Sequence, residues 1–358
     1  MPLSRSATLR LLLLSTISLI FGLAWREFRV IPLLVLGQPR SVGQLQRDQE
    51  EPFFRALAAR SGLPLAISYV TSDSFGLKDS HQLDALRNGR VDIVSLRFMQ
   101  NINAEPSLEG LDLPGTIPDF ATGRQVAVSY SPVVDQYLQR RFKVKLLSLW
   151  SFGPQVMVCR GPLANLRDIR GRRIRVASPG LAQLITAIGA IPVIMPFEDT
   201  RSALSLKMVD CAVTSAASAN FAGWTDHASS FYPLALQFGF NGYAISLRVW
   251  NSLSPTEQQR LQSNFDHFTN KLWDYSEELN RTSTQCITGL PCQGQKQHKL
   301  VPVSVSANEI ALIKQLSLQT VLPSWSARCN QIHPDCRQQW DEKVAPIVSH
   351  EQVGGSQP

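Results

Sequence analysis

Short apolar runs alternate along this chain with segments in which apolar residues recur every three or four positions. A continuous apolar run predicts a buried strand, and the three-to-four spacing predicts an amphipathic helix. The predicted strands are 30–36, 65–70, 91–96, 144–150, 155–159, 173–177, 191–195 and 209–213. Strands and helices that alternate in this way are typical of α/β folds with largely parallel sheets.

Turn-forming residues mark the ends of the helices predicted between these strands. Gly62 and Gly189 each follow a helical pattern, and glycine tolerates the left-handed conformation in which helices commonly end. Ser131-Pro132 predicts a helix start, since a proline in the first turn sacrifices no hydrogen bond. The positions of these turn-forming residues therefore support layers of helices packed on sheets.

The longest predicted helix begins at Ser254, whose spacing from Glu257 is that of a capping box. Its apolar stripe continues to Leu279, so we expect about 26 residues and a length of about 39 Å. Such a helix is longer than one small lobe and is expected to span two. An ordinary core helix is the alternative on the pattern alone.

Residues 1–24 differ from the rest of the chain. Arg5 and Arg10 precede an uncharged stretch of 14 residues, 11–24. This stretch is too short for a typical membrane span and fits a signal peptide, so we expect the remaining chain to be exported across the membrane. The alternative is an uncleaved signal anchor that tethers the protein, because Trp25-Arg26 is not a typical mature start.

The length of 358 residues exceeds a typical single core and suits two packed lobes. We assign 28–151 plus 241–280 to lobe I and 152–240 plus 281–348 to lobe II. The tail 349–358 is expected to be disordered. Removing the two arginines of the signal segment lowers the net charge from +7 to +5, which is too small to identify a partner.

Four of the six cysteines fall in two close pairs near the C-terminal end, as expected for a protein of an oxidising compartment. We predict structural disulfides there; a zinc site or free thiols are the alternatives, and the spacing is not that of zinc ribbons. The other two cysteines, Cys159 and Cys211, lie in apolar runs and are expected to be buried. The four disulfide candidates are Cys286, Cys292, Cys329 and Cys336.

The sequence contains no motif of a serine hydrolase, zinc protease, P-loop enzyme or dinucleotide-binding enzyme. Histidines, the commonest general bases, are scattered over predicted loops and helix faces. They are His81, His227, His267, His298, His333 and His350. We therefore expect a protein that is not an enzyme and needs no cofactor.

Five arginines lie within the nine residues 167–175. A nucleic-acid surface is one explanation, but export and the lack of interleaved aromatic residues argue against it. In the predicted strand, Ile174 and Val176 face the core while Arg173 and Arg175 share the other face. A guanidinium held rigidly in a strand binds a carboxylate through two parallel hydrogen bonds, although a surface ion pair is an equal alternative.

Several segments resemble the DctP-type solute-binding subunits of tripartite ATP-independent periplasmic (TRAP) transporters. The most specific stretch runs through 166–176, 187–197, 203–204 and 209–210, and weaker matches lie at 86–92, 111–115 and 253–259. The resemblance covers roughly residues 30–345. It implies a two-lobed, periplasmic-binding-protein-like fold with a hinge, in which the long helix spans both lobes.

The resemblance also implies a monomeric periplasmic receptor that binds a small organic acid and delivers it to the membrane permease subunits of a TRAP transporter. Arg175 matches the carboxylate-binding arginine of the family, and Phe197 matches an aromatic residue that lines the same pocket. Gln155 and Thr214 stand where many members have arginine and asparagine, so they are candidate ligand contacts that depart from the family pattern. A sensor or scavenger that works without a permease is the alternative function.

Two further residues are expected near the ligand. Arg97 ends a predicted strand of the opposite lobe and is a candidate second charge contact, and Gln38 follows the first strand as a weaker candidate. The Glu-Trp pair through which some members of the family bind a metal is absent from Val213-Thr214. We therefore expect no metal ion.

Overall fold

The computed structural model describes residues 29–349. The predicted signal segment lies outside this range, as does the predicted tail apart from Ser349, which ends the last helix. Within the range the chain forms two separate sheets. The strands are β1 Ile31–Gly37, β2 Leu65–Thr71, β3 Ile93–Arg97, β4 Val144–Ser151, β5 Gln155–Cys159, β6 Arg173–Val176, β7 Ile191–Ile194, β8 Cys211–Thr214, β9 Ser230–Gln237, β10 Phe240–Ser246 and β11 Val301–Pro302.

The first sheet has the strand order β2-β1-β3-β10-β4, and the second has the order β11-β9-β5-β8-β6-β7. β1 pairs in parallel with β2 and β3, whereas β10 runs antiparallel to β3 and β4. In the second sheet, β6 pairs in parallel with β7 and β8. The predicted parallel pairing therefore holds for part of each sheet, and antiparallel pairs complete both.

The chain passes between the sheets at two short crossings. One is 152–154, between β4 and β5, and the other is 238–239, between β9 and β10. The crossings touch each other, because the Phe152 amide donates to the Gly239 carbonyl at 3.1 Å. Two adjacent connections of two or three residues are the geometry of a hinge.

Helices cover the faces of both sheets. No helix between residues 29 and 349 is long and apolar enough to cross a membrane. The α-helices are α1 Glu51–Ser61, α2 Ser72–Phe75, α3 Gln82–Arg87, α4 Phe98–Asn101, α5 Ser107–Gly110, α6 Phe120–Phe142, α7 Pro179–Ile188, α8 Thr200–Ser205, α9 Ala216–Phe221, α10 Leu247–Trp250, α11 Pro255–Thr288, α12 Ala307–Leu316, α13 Leu322–Asn330, α14 Cys336–Lys343 and α15 Ala345–Ser349. Shorter 3₁₀ or π turns lie at Arg40–Val42, Gln46–Glu50, Asp79–His81, Leu166–Ile169, Thr225–His227 and Ser317–Val321.

The long helix α11 contains 34 residues, which corresponds to about 51 Å. It exceeds the predicted length because buried positions continue past Leu279 to Cys286 and Ile287. Its first part packs on α1 and β4 of the first sheet, and its last part packs on α9 beside the second sheet. The helix therefore spans both lobes, as predicted.

Replacing Ser254 with alanine tests the predicted capping box at the start of α11. The Glu257 amide donates to Ser254 Oγ at 3.4 Å, and Glu257 Oε2 accepts from the Ser254 amide at 2.6 Å. We expect Ser254→Ala to lower the free energy of unfolding by about 1 kcal/mol, measured by urea denaturation. Ser263→Ala, the same change at an exposed position inside the helix, should cost nothing; equal losses in both variants would contradict a capping role.

The predicted helix start at Ser131-Pro132 is wrong. α6 runs continuously from Phe120 to Phe142 with Pro132 inside it, and its N-cap is Asp119, which accepts from the Thr122 amide at 2.8 Å. Proline cannot donate to the carbonyl of Val128 one turn earlier. Val128 is 77% exposed, so water can reach this turn and the helix tolerates the missing bond.

The four C-terminal cysteines form disulfides as predicted, and the structure adds the pairing, which was not predicted: Cys286–Cys292 and Cys329–Cys336. The alternatives of a zinc site and of free thiols are therefore wrong for these residues. A third disulfide joins Cys159 of β5 to Cys211 of β8, which are directly opposite in the antiparallel pair. Both are buried as predicted, but the sequence does not reveal that β5 and β8 are neighbours.

The last helices fold back on the first half of the chain. In α13, Trp325 Nε1 donates to the Pro106 carbonyl at 2.8 Å, and in α14, Trp340 Nε1 donates to the Gly110 carbonyl at 3.0 Å. Part of the C-terminal segment assigned to lobe II thus packs on elements that precede β4. The assignment of residues to lobes stays a prediction.

Candidate functional site

A cleft lies between the two sheets, beside the hinge crossings. It contains about 490 Å³ of space free of protein atoms, including its opening to solvent. The residues of the two lobes meet there because β3 of the first sheet and β6 and β8 of the second all end at this point. Five of the six predicted ligand-binding residues line the cleft, and these are Arg97, Gln155, Arg175, Phe197 and Thr214.

Arg175 lies in β6 and is only 2% exposed. Its Nε and Nη2 donate to the Met195 carbonyl at 3.2 and 3.0 Å, and its Nη1 donates to the Val213 carbonyl at 3.0 Å. Among the ion pairs formed between residues 29 and 349, none involves Arg175. The carbonyls orient this guanidinium without neutralising its charge.

An aromatic side chain supports the same guanidinium. The guanidinium carbon of Arg175 lies 5.2 Å from the centre of the Trp224 ring, a distance at which a cation is attracted to the ring face. Phe197, which lines the cleft, packs against Trp224 with ring centres 4.8 Å apart. No sequence pattern pointed to Trp224, because it follows α9 in a loop without a recognisable motif.

Burial, together with the smaller effect of the nearby Arg97 charge, lowers the pKa of Arg175 to about 10. Glu198 acts in the opposite direction as a smaller influence, and its side chain is exposed. Arg175 therefore stays protonated at neutral pH. Because Arg97 also lines the cleft, a guanidinium group of each lobe faces the same space.

Arg97 is the last residue of β3 and is 8% exposed. Its Nη1 donates to Asp79 Oδ2 at 2.6 Å, so this guanidinium has a carboxylate partner. Its backbone amide donates to Gln82 Oε1 at 3.1 Å, and Asn101 Nδ2 donates to both the Arg97 and the Asp79 carbonyls. The first lobe thus holds Arg97 firmly from behind the cleft.

Neutral polar groups line the hinge side of the cleft. Gln155 Nε2 donates to the Gly153 carbonyl at 3.0 Å, and Asn241 Nδ2 donates to the Gly239 carbonyl at 3.0 Å. A Cβ atom at Gly239 would lie 2.6 Å from Gln155 Nε2, and its φ of +66° also favours glycine. The hinge glycine therefore lets Gln155 lie flat against the crossing chain.

Gln38 lies elsewhere. It is fully buried inside the first lobe, where its Nε2 donates to Ser95 Oγ and its amide donates to Glu50 Oε1, both at 2.7 Å. Burial raises the pKa of the Glu50 carboxyl to about 7, against the opposing effect of its hydrogen bonds. Among the described residues that line the cleft, Gln38 is absent; its position supports a structural role and not the predicted ligand contact.

The two lobes touch across the cleft opening. A Cβ atom at Gly43 would lie 2.6 Å from ring atoms of Phe221. Gly43 follows the turn Arg40–Val42 of the first lobe, and Phe221 ends α9 beside the second sheet. Val42, next to Gly43, and Ser218, which lies in α9 with Phe221, also line the cleft, so this contact lies beside it.

Sequence comparison identifies the family to which this architecture belongs. Residues 43–315 match the DctP family, described as bacterial extracellular solute-binding protein, family 7. The chain belongs to this family. The predicted relationship to the DctP-type proteins of TRAP transporters is therefore confirmed.

Solved structures of TRAP solute-binding proteins share the fold of this solute-binding protein. DctP7 of Bordetella pertussis, an extracytoplasmic solute receptor that binds pyroglutamic acid, is 17% identical with a TM-score of 0.72; the match covers 88% of this chain and 99% of DctP7. A protein of Desulfovibrio salexigens with bound orotic acid is 15% identical with a TM-score of 0.77, over 88% and 99% of the two chains.

A third structure, from Rhodoferax ferrireducens with bound malonate, is 16% identical with a TM-score of 0.76, over 89% and 100% of the chains. At these identities the likeness concerns the fold. It confirms the predicted two-lobed, periplasmic-binding-protein-like α/β architecture. The family is extracytoplasmic, and its members are solute receptors.

Proposed function

We propose that this protein is the periplasmic receptor of a TRAP transporter, which captures a small carboxylate in the interlobe cleft and delivers it to the membrane permease. The observation that carries the proposal is the burial of Arg175 as an unpaired cation. A guanidinium that is 2% exposed, without a carboxylate partner in the described chain, lines the cleft between two hinged lobes. A buried charge of this kind is stabilised by a bound counter-ion.

The hydrogen bonds of Arg175 suit a carboxylate. They use the Nε donor and one donor on each terminal nitrogen, which leaves a further N–H on Nη1 and another on Nη2. Two N–H groups on neighbouring nitrogens match the two oxygens of one carboxylate. Arg175 therefore anchors the acid group, while Phe197 packs on the body of the ligand.

The remaining cleft residues contact the rest of the ligand from both lobes. Gln155 and Thr214 come from the second sheet, and Arg97 comes from the first. A ligand that touches both lobes binds the closed state more tightly than the open state and so favours closure. The acids bound to the related proteins, pyroglutamic acid, orotic acid and malonate, support a small organic acid as the ligand class.

A thermal-shift screen of organic acids tests the proposal. A ligand at a hundredfold excess over its dissociation constant should stabilise the folded protein by about 2.7 kcal/mol, because it binds only the native state. The neutral primary amide of each active acid is the matched control, and it should produce no comparable shift. If no carboxylate, amino acid or sugar acid raises the melting temperature, the proposed function is wrong.

A further inference from the structure

The charges that surround the cleft are few and can be counted. Arg175 and Arg97 are the charged residues among the described side chains that line it, and no lining residue is acidic. The other polar groups that line it, such as Gln155, Thr214 and Asn241, are neutral. The charge of the ligand must therefore be balanced by these two guanidinium groups, less the charge of any carboxylate that already pairs with one of them.

The two guanidinium groups are not equivalent. Arg175 has only carbonyl partners and an aromatic ring. Arg97 is paired with Asp79, and the side chains of this pair are 9% and 16% exposed, respectively. A carboxylate this close and this sheltered from water cancels most of the Arg97 charge as a ligand would experience it. The exposed Glu198 is screened by solvent and changes the balance little.

We propose that the Asp79–Arg97 ion pair makes the cleft prefer a ligand with a single negative charge, so that Asp79 selects monocarboxylates over dicarboxylates. This inference rests on the proposed function and deepens it by naming the ligand class. Arg175 neutralises the one carboxylate. The paired Arg97 contributes hydrogen-bond donors to an uncharged polar group at the other end of the ligand.

A dicarboxylate meets two costs in such a cleft. Its second carboxylate loses water without gaining an unpaired cation, and a desolvated charge without a partner is unfavourable. It also lies on the same side as Asp79 and is repelled by it. At an effective dielectric constant between those of protein and water, a charge a few ångströms away changes binding about tenfold.

Isosteric pairs of ligands that differ by one charge test the inference. Malonamate and succinamate carry one negative charge at pH 7.5, whereas malonate and succinate carry two; pyroglutamate adds a cyclic monoanion. Calorimetric titration of the wild-type protein should give a dissociation constant about tenfold lower for a monoamide than for the matching diacid. Asp79→Asn, which preserves the size of the side chain, should shift this ratio about tenfold towards the diacid.

Two further variants make the test specific. Asp79→Asn combined with Arg97→Gln removes both charges of the pair and should restore the preference of the wild-type protein for monoanions. Asp84→Asn removes an exposed carboxylate that pairs with Arg87, and it should leave the ratio unchanged although the net charge changes equally. A general effect of net charge would instead move both single variants together.

The outcomes separate this inference from the proposed function. A wild-type preference for the diacids, or a ratio that Asp79→Asn does not move, would overturn the role of Asp79 while carboxylate binding stands. The wild-type measurement alone is decisive if the variant is unstable. Failure of all three monoanions to bind, alongside a diacid that is active in the thermal-shift screen, would overturn the single-charge assignment. Failure of the whole screen would overturn the proposed function and this inference with it.

Discussion

Arg175→Ala should abolish ligand binding and leave the protein folded. The variant removes the one unpaired cation that lines the cleft in the described chain, and truncating one partner of a buried charge pair typically costs about 2–5 kcal/mol. The dissociation constant of the acid found by screening should rise about 30-fold or more. Calorimetry measures the loss, and circular dichroism checks the fold.

Arg173→Ala is the matched control for this variant. Arg173 lies two residues away in the same strand, but it is exposed and its guanidinium pairs with Asp210 at 3.0 Å. Its removal should leave binding unchanged. Arg175→Lys should also bind poorly, because an ammonium group keeps the charge but lacks the planar pair of donors. If Arg175→Ala bound as tightly as the wild-type protein, the anchor would have to be sought elsewhere.

Removal of the Cys159–Cys211 disulfide should be the largest change in stability among the three cross-links. The bond closes a loop with a sequence separation of 52 residues, and both cysteines are fully buried. Without the cross-link the unfolded chain gains conformational entropy. The double variant with alanine at both positions should therefore have a free energy of unfolding lower by about 4 kcal/mol. Urea denaturation measures the difference.

The disulfide Cys329–Cys336 provides the comparison, since its sequence separation is only 7. Its double alanine variant should lose about 2.5 kcal/mol, because a short loop gains less freedom when it opens. Losses of equal size in the two variants would show that loop length does not govern the effect. A loss confined to the short loop would contradict the prediction outright.

The sequence predicted the local elements well where one pattern decides them. The strand that contains Arg175 follows from the alternation of arginine and aliphatic residues, and the start of α11 follows from its capping box. The antiparallel strands β9 and β10 were not predicted. These strands pair with strands far away in the chain, and a local sequence pattern contains no information about such partners.

The candidate site was predicted in part for the same reason. Arg97 and Gln38 both follow apolar strands of the first sheet, and the same reasoning placed both near the cleft. Only Arg97 lines it, because the side chain of Gln38 turns inward to Ser95. Asp79 carries no motif at all; its importance arises from an ion pair across 18 positions of the chain.

The three disulfides leave the hinge free. One joins two strands of the second sheet, one ties the end of α11 to the loop behind it, and one joins α13 to α14. None of them links the first sheet to the second in the described chain. Disulfide formation therefore stabilises each lobe without linking the two lobes to each other. The opening of the cleft is thus independent of the redox state of the compartment.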